Sequence, residues 1–412
     1  MTTRADRRSP ATPAEPTVMR QHSLRSANLG LVLRAVLTGD SPSRADVAAR
    51  TGMTRSTVSR LVDELMAGGL LAELEPLTGA RGRPATPLVA AAGTVAALGL
   101  ELSVEHVFAH VSDLAGNVLA EGHRLGDFAH MRPAASLAVV ADLANECIYA
   151  LSPEARVAGV HLAIPGLVDV PGRQVLRAPN LGWTGVAPVP LLAEAGLAVE
   201  RQHFALGNEA DCAALALALE APGRPGKHSA FLYVSGEVGV GSAVVSNGEL
   251  VTGQHGWAGE IGHLCVDPHG LVCACGATGC LETVAGLAHI LAAARLDTTE
   301  QLLVALADGD RVAREAVDRA GRALGIAVSG AMNLLDLPEV VLGGHLAAMA
   351  DRIVPLLREE MTVRVLSAPY AETAISVDVD PATRPAVGAA YAGLDVVLTD
   401  PGRWLEESRA AS

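Results

Sequence analysis

The sequence predicts a mixed α/β protein in which a small winged helix-turn-helix precedes a body of two α/β lobes. Three observations support this prediction. Two short helical patterns near the N terminus flank a glycine-containing turn. Two sets of strand patterns follow, and each set opens with three consecutive strands. Half of the 412 residues are hydrophobic and only 3% are aromatic, so Ala, Leu and Val must pack the cores of several domains.

The N-terminal segment divides into a tail and a first helix. Residues 1–22 are rich in Thr, Pro, Arg and Ala without any apolar period, so we expect a disordered tail. The apolar residues that follow recur at helical spacing, which predicts a helix ending near Gly39.

A helix-turn-helix is expected next. Ser43 and Asp46 have the spacing of a capping box, and Gly52 can adopt the left-handed conformation that ends the first of the two helices. The second helix should begin at Thr54 and end at Gly68-Gly69. Its apolar stripe, which should face the core, consists of Val58, Leu61, Val62 and Leu65.

The opposite face of this second helix is polar. Arg can bond guanine edges in the major groove, and Ser or Thr can bond bases or phosphates, so the face favours DNA binding over an ordinary solvated hairpin. A two-stranded wing should follow, with an R-G-R-P tip suited to a minor groove; a polar linker is the alternative. The candidate DNA-binding residues are Thr54, Arg55, Ser56, Thr57, Ser59, Arg60, Arg81 and Arg83.

Charge is distributed unevenly along the chain, whose formal net charge is −14. Residues 1–90 contain 12 Arg and 8 acidic residues, whereas residues 91–412 contain 19 basic and 37 acidic residues. A basic segment attached to an acidic body is typical of a protein in which one part meets a polyanion and the other does not.

The remaining chain predicts two related halves. "VAALGLEL", "HVFAHVSD" and "GNVLAEG" read as three strands, before a helix around 134–150 and a buried strand at 157–163. "AFLYVSG", "VGSAVVSN" and "GELVTG" open the second set, which leads to a strand at 339–344. This topological repeat predicts a two-lobed fold with a ligand in the cleft. The helical pattern at 384–398 should pack back on the first lobe.

The segment "EIGHLCVDPHGLVCACGATGCLE", residues 260–282, holds four of the six Cys. No secretory or membrane-spanning segment is evident, so we expect a cytoplasmic protein, in which clustered thiols bind metal more often than they form disulfides. Zinc takes four thiolate or imidazole ligands. The spacing predicts three Cys ligands, Cys273, Cys275 and Cys280. It leaves three candidates for the fourth ligand, His263, Cys265 and His269.

The same segment resembles the signature of the ROK family of sugar kinases and sugar-responsive repressors. The family pattern is E-x-G-H followed by C-x-C-G-x-x-G-C-L-E, and every fixed residue is present. "AIPGLVD", "APNLGW", "GNEADCAALAL" and "VVLGG" resemble further family stretches in the same order, and the N-terminal segment resembles the winged helix-turn-helix of the repressor branch. The resemblance spans roughly residues 23–400.

The resemblance implies an actin-like (ribonuclease H-like) sugar-kinase fold with the sugar between its lobes. It selects His263 as the fourth zinc ligand, and it implies one structural zinc per chain that orders a loop of sugar-binding groups. The implied sugar-binding residues are Asn180, Asn208, Glu209, Glu260, His263 and Glu282. The expected domains are 23–90 for DNA binding, 91–207 with helix 385–400 for the first lobe, and 208–384 for the second lobe with the zinc loop and a dimer surface.

The phosphate loops of the family's kinases are altered in this chain. Where the kinases have D-x-G-G-T, residues 101–105 read ELSVE, so the backbone cannot approach a phosphate and Glu105 would repel it. In the second loop Glu237 and Val238 replace small residues. Glu209 stands where the kinases carry their catalytic Asp and is one methylene longer. These changes favour a binding protein over an enzyme.

We therefore expect a sugar-responsive transcriptional regulator, most simply a repressor that leaves its operator when a sugar binds. It should bind a palindromic double-stranded operator as a homodimer or homotetramer. An active ATP-dependent sugar kinase with a DNA-binding domain is the alternative, and the sequence does not distinguish a repressor from an activator.

Overall fold

The computed structural model describes residues 21–75, 86–170, 172–197, 203–236 and 239–411. Most of the predicted tail lies outside the described residues. So do the wing-tip residues Arg81 and Arg83 and the phosphate-loop residues Glu237 and Val238. Within the described ranges, no helix combines the length and apolar character needed to cross a lipid bilayer.

The N-terminal domain contains three helices and a two-stranded wing: α1 (Gln21–Leu37), α2 (Arg44–Thr51), α3 (Arg55–Ala67), β1 (Leu71–Glu73) and β2 (Leu88–Ala90). The predicted capping box of Ser43 and Asp46 starts α2, and Gly52 ends it with φ at 70°. Thr54 caps α3, and the predicted stripe of four apolar residues is buried. β1 and β2 pair antiparallel. The helix-turn-helix and the wing strands are therefore confirmed.

The first lobe is built on a five-stranded sheet. Its elements are β3 (Val95–Leu102), β4 (His106–Asp113), β5 (Val118–Leu125), α4 (Pro133–Tyr149), β6 (Arg156–Ile164), β7 (Leu167–Val168), β8 (Val175–Ala178), β9 (Trp183–Val186), α5 (Pro188–Glu194) and β10 (Phe204–Asn208). The sheet order is β10-β6-β3-β4-β5, and β7, β8 and β9 form a separate small sheet. The predicted strands and helix are confirmed, whereas the small sheet was not predicted.

The second lobe repeats this plan. Its elements are α6 (Glu209–Ala218), β11 (Leu219–Ala221), β12 (Arg224–Pro225), β13 (Phe231–Gly236), β14 (Val240–Ser246), β15 (Glu249–Leu250), α7 (Glu282–Ala285), α8 (Leu287–Ala294), α9 (Thr299–Ala307), α10 (Arg311–Leu335), β16 (Glu339–Gly343), α11 (Gly344–Ala348), α12 (Ala350–Arg364) and β17 (Ala374–Val377). The sheet order is β15-β14-β13-β16-β17. In both lobes the first strand of an antiparallel meander is central and pairs in parallel with the next long strand. The predicted duplication is confirmed.

Helix α13 (Arg384–Thr399) contacts both lobes, through β3 of the first and α6 of the second. It contains the helical pattern predicted at 384–398. A Cβ at Gly99 would collide with the backbone of Ala386 on α13, so only Gly lets the helix lie directly on β3. A Cβ at Gly388 would likewise collide with the carbonyl of Cys212 on α6. Helix α6 of the second lobe and helix α13, which packs on the first-lobe sheet, are therefore in direct backbone contact.

A final helix, α14 (Pro401–Ala411), fixes the winged domain to the first lobe. One buried apolar cluster contains residues from all three parts, including Leu65 of α3, Ala158 of β6 and Trp404 of α14. Trp404 donates its indole N–H to the carbonyl of Gly68 at 3.4 Å, and the Arg156 guanidinium lies 4.5 Å from its ring centroid. The winged domain and the first lobe therefore share one hydrophobic core.

We expect Trp404→Ala to lower the free energy of unfolding by about 3–5 kcal/mol, because it opens a cavity in this shared core. Urea unfolding measures the loss. Tyr149→Ala is the matched control, because Tyr149 is 80% exposed and its truncation should change stability by no more than about 0.5 kcal/mol. Equal unfolding midpoints for the two variants would contradict a shared core held by Trp404.

Candidate functional site

A cavity between the lobes brings together the residues predicted to bind a sugar. Its first-lobe wall includes Gly166 and Asn180, and its second-lobe wall includes the loop before α7. All six predicted side chains line it: Asn180, Asn208, Glu209, Glu260, His263 and Glu282. Two amides, three carboxylates and an imidazole are groups that can donate to and accept from the hydroxyls of a polyol.

Asn208 occupies the junction between the lobes. It is the last residue of β10 and the N-cap of α6, where its Oδ1 accepts from the backbone N–H of Ala210 at 2.7 Å. Its Nδ2 donates to the carbonyl of Gly166 at 3.0 Å. The amide therefore ties the start of α6 to a first-lobe loop, a positioning role that the sequence did not reveal.

Gly239 leaves space for side chains that come from the two lobes. A Cβ at this position would collide with Glu282 Oε2 and would lie 3.4 Å from Asn180 Nδ2. Asn180 belongs to a short 3-10 turn after β8 in the first lobe, and Glu282 begins α7 in the second. The absence of a side chain at 239 thus leaves the space in which both groups face the cavity.

Carboxyl groups are crowded at this site. Burial raises the pKa of Glu260, and the Glu282 carboxylate adds to the rise while His263 opposes it. Burial also raises the pKa of Asp211 to about 7, with a further contribution from Glu260. Asp211 lies in the first turn of α6 and was not predicted as a site residue. Its position in the quoted "GNEAD" stretch, three residues after Asn208, was the available signal.

The loop beside the cavity contains a cluster that could hold a metal ion. One ligand atom from each of four residues lies within 4.8 Å of the others, and the four are His263, Cys273, Cys275 and Cys280. The Sγ atoms of Cys275 and Cys280 are 3.7 Å apart. A tetrahedral zinc with bonds of about 2.3 Å separates its sulfur ligands by roughly 3.8 Å, so the donor set fits zinc. Neither Cys265 nor His269 belongs to the cluster, which favours His263 as the fourth ligand.

Burial and crowding favour the protonated form of the Cys280 thiol when no cation is bound. Burial, with the neighbouring Cys275 and Cys273, raises the pKa of Cys280 to about 12. Three thiolates at these distances would repel one another, and a bound divalent cation would reverse that repulsion and favour the deprotonated ligands.

The imidazole of His263 lies between the cluster and the cavity. Its Nδ1 is 3.8 Å from Cys273 Sγ, whereas its Nε2 is 3.9 Å from Glu260 Oε2. A metal ligand at Nδ1 requires that the ring proton be on Nε2. The proton would then point toward Glu260 and the cavity.

Two contacts that the sequence did not predict close the cleft over this loop. Arg177 of β8 donates to the carbonyl of Ala274 at 3.0 Å, and the indole N–H of Trp257 donates to the carbonyl of Val168 at 2.8 Å. In each contact one partner lies in the small first-lobe sheet and the other in the second lobe.

The segment that matches the first kinase phosphate loop lies between β3 and β4 and beside a second cavity of about 370 Å³. Glu101 is fully buried, and its Oε1 lies 3.2 Å from His106 Nε2. Val104 is buried, while Glu105 is exposed and lines the cavity together with Glu300. Carboxylates in this cavity would repel the phosphates of a nucleotide.

The predicted DNA-binding face of α3 is accessible over most of its length. Thr54, Arg55, Ser56 and Arg60 are exposed, and Thr57 and Ser59 are half-buried. Thr54 Oγ1 accepts from the backbone N–H of Thr57 at 3.2 Å, so this hydroxyl also serves as the N-cap. The Arg60 guanidinium is bonded to Glu64 Oε1 at 3.0 Å and would have to leave that partner to reach a base.

Comparison with known proteins places the chain among transcriptional regulators. Residues 97–395 match the ROK family, and residues 28–75 match the IclR helix-turn-helix domain. A putative xylose repressor of Caldicellulosiruptor sp. strain Rt8B.4 is 28% identical over 87% of this chain and 93% of its own length. The DNA-binding transcriptional repressor Mlc of Escherichia coli K12 is 26% identical over 84% of this chain and 87% of its own length.

Solved structures show the same fold. A ROK family transcriptional regulator, a homologue of E. coli Mlc, superposes with a TM-score of 0.75 at 24% identity, over 94% of this chain and 99% of its own. A Streptomyces griseus ROK glucokinase in complex with glucose and AMPPNP has a TM-score of 0.59 at 21% identity, over 72% of this chain and 98% of its own. The predicted winged helix-turn-helix followed by an actin-like sugar-kinase fold is confirmed, and the chain belongs to the ROK family.

Proposed function

We propose that this protein is a sugar-responsive transcriptional repressor that acts in the cytoplasm, where its clustered thiols stay reduced. One observation carries the proposal. A helix-turn-helix shares its hydrophobic core with a lobe that forms one wall of a cleft lined by sugar-compatible side chains. The named relatives, xylose repressors and Mlc, support the same function.

We propose further that the chain does not phosphorylate the sugar. Val104 and Glu105 in the altered phosphate loop argue against nucleotide binding, and the Glu at position 209 argues against a well-placed base. Since the ROK fold also occurs in kinases such as the Streptomyces glucokinase, fold alone does not decide the matter. An assay of ATP-dependent phosphorylation across a panel of sugars separates the repressor from the kinase alternative.

The exposed face of α3 is proposed to enter the major groove, with the wing-tip Arg81 and Arg83 proposed to lie along the minor groove. We expect Arg55→Ala and Arg60→Ala each to weaken operator binding by about 1–3 kcal/mol, because each removes a guanidinium contact to a base edge. Gel-shift titration at fixed salt measures this loss. Arg311→Ala, an exposed substitution on α10 of the second lobe, is the control. If both α3 variants bind the operator with wild-type affinity, this face of α3 does not contact DNA.

We propose that the protein is at least a homodimer on a palindromic operator, since one winged domain covers only one half-site. In the second lobe, Leu334, Val363, Leu366 and Tyr370 are each more than 80% exposed near the C-terminal ends of α10 and α12. Exposed apolar groups of this kind suit a self-complementary contact with a second copy. Leu366→Asp should shift the chain toward the monomer in analytical ultracentrifugation at micromolar concentration. An unchanged sedimentation profile would place the dimer contact elsewhere.

We propose one structural zinc ion per chain at His263, Cys273, Cys275 and Cys280. When bound, the ion would neutralise the thiolates and fix the loop that carries Glu260 and His263. Cys275→Ser should lower the zinc content measured by atomic absorption and weaken the sugar response more than operator binding, because the winged domain packs on the first lobe and the loop belongs to the second. Cys147→Ser and Cys212→Ser, which lie outside the cluster, should retain zinc. Full zinc occupancy in Cys275→Ser would contradict the ligand set.

The proposed switch depends on movement of the lobes. The cavity between them is lined from both sides, by Asn180 of the first lobe and by Glu260 and Glu282 of the second. A sugar that contacts both walls favours whichever lobe arrangement it binds more tightly. Because the winged domain shares its core with the first lobe, a change in lobe angle would reorient it relative to its partner in the dimer.

We expect Glu260→Ala to bind its operator normally but to resist release by the sugar. Loss of a charged hydrogen-bond acceptor should cost about 1.5–3 kcal/mol of sugar affinity, or about ten- to a hundredfold. Fluorescence anisotropy of labelled operator, titrated with sugar, measures the release. Glu249→Ala, an exposed carboxylate of β15 in the same lobe, should behave as the wild type. If the Glu260→Ala protein leaves the operator at the same sugar concentration as the wild type, the sugar site lies elsewhere.

A further inference from the structure

A third cavity, of about 730 Å³, shares no lining residue with the cleft between the lobes. Its lining includes Val341 of β16 and Ser376 of β17, which are partners in the register of the second-lobe sheet. Helix α6 contributes Leu217, and helix α13 contributes Val387 and Tyr391. Ligand sites in proteins commonly have volumes of roughly 300–1,000 Å³. The cavity is therefore large enough for a small organic molecule.

Much of the cavity wall is aliphatic. The apolar side chains come from α6, from the strands that border it and from α13, and they include Leu217, Leu219, Val341, Val377 and Val387. Apolar groups of a ligand that lie against such a wall are removed from water, which favours binding. The wall therefore suits a ligand with an apolar body.

Most charged groups of the lining are neutralised by neighbouring side chains. The Glu220 carboxylate is bonded to Arg224 at 3.2 Å, and Asp378 accepts from Arg384 Nε at 3.1 Å. Lys227, the only lysine of the chain, is exposed and also lines the cavity. Its ammonium group forms no ion pair with any residue that the structure describes. One positive charge at the cavity is thus left without a partner.

The polar lining contains a second unused donor. His228 Nδ1 lies 2.8 Å from Glu339 Oε2, and the Ser376 hydroxyl donates to the same carboxylate, so both side chains have partners within the protein. The hydroxyl of Tyr391, in contrast, makes no hydrogen bond to another residue in the described ranges. A phenol can donate one hydrogen bond to an anion. The cavity therefore offers an ammonium group and a phenolic hydroxyl beside an aliphatic wall.

We propose that this cavity binds an organic acid with one anionic group and an apolar body. The anionic group would accept hydrogen bonds from Lys227 and Tyr391, and the apolar body would lie against the aliphatic wall. Such a ligand would contact α6 and β16 of the second lobe together with α13, which packs on the first-lobe sheet. The site is separate from the proposed sugar site, and neither sugar nor operator is needed to test it.

Fluorescence titration of the full-length chain tests the site. The probe is 8-anilinonaphthalene-1-sulfonate, whose sulfonate and aromatic rings have the proposed chemistry, and we expect one saturable site per chain. Val387→Phe, which fills the cavity from α13, should abolish this binding, whereas Val396→Phe at an exposed position of the same helix should retain it. Absence of saturable binding, or wild-type binding by a folded Val387→Phe protein, overturns the proposal.

An uncharged probe separates the anionic group from the apolar body. N-Phenyl-1-naphthylamine is the same molecule without its sulfonate. Lys227→Gln should weaken binding of the sulfonate by about threefold to tenfold and leave binding of the neutral probe unchanged, because the substitution removes one exposed charge-assisted hydrogen bond. Arg319→Gln, at an exposed cation outside the cavity, should change neither affinity. If Lys227→Gln leaves the sulfonate affinity unchanged, or weakens both probes equally, Lys227 does not bind the anion and the proposal fails.

The single lysine also permits a test on the wild-type protein. N-Hydroxysuccinimidyl acetate acetylates amines, and Lys227 carries the only side-chain amine of the chain. Saturation with the sulfonate should slow acetylation of Lys227 severalfold, because an ammonium group beside an anion is less often deprotonated. The α-amino group at the N terminus is the internal control and should react at an unchanged rate. Mass spectrometry of proteolytic peptides measures both rates, and equal acetylation of Lys227 with and without the sulfonate overturns the proposal.

Discussion

The His263 imidazole lies against both the thiol cluster and the cleft between the lobes. His263 faces the thiol cluster through Nδ1 and faces Glu260 through Nε2. The two ends of its loop are anchored in the second-lobe core by Ile261 and Leu281, whereas Leu271 and Val272 in the middle of the loop are exposed. A metal ion held by the cluster would order this middle part, and the ring would couple that order to the cavity.

A continuous run of packed helices connects the cleft to the winged domain. Asn208 caps α6 at the cavity, and the backbone of α6 meets α13 at Gly388. Helix α13 leads into α14, whose Trp404 is buried against α3 and β6. A chain of packed helices does not by itself couple the cleft to the winged domain. Coupling also requires an element with two arrangements whose equilibrium is changed by ligand binding at both sites. The two lobe arrangements are that element in the proposed switch.

Local sequence signals predicted the local features well, and the resemblance predicted which residues line the cleft. The capping box at Ser43, the αL turn at Gly52 and the two meanders follow from short-range patterns, and all are present. The cluster at residues 263–280 followed from Cys spacing and the family motif. The small sheet β7–β9 was missed because strands of two to four residues carry almost no periodicity. The tie of Asn208 to Gly166 was missed because it joins residues distant in sequence.

The distribution of groups across the cleft decides whether a sugar can act as a switch. A ligand shifts a conformational equilibrium only by the difference in its affinity for the two states. A sugar that contacted only one lobe would bind both lobe arrangements equally well. It would not shift the equilibrium between them, however tightly it bound. Here Asn180 comes from the first lobe and Glu260 and Glu282 from the second, so full contact requires one lobe arrangement. In the proposed switch, the binding energy of a sugar that contacts both lobes would favour one lobe arrangement and so reorient the winged domain, which shares its core with the first lobe.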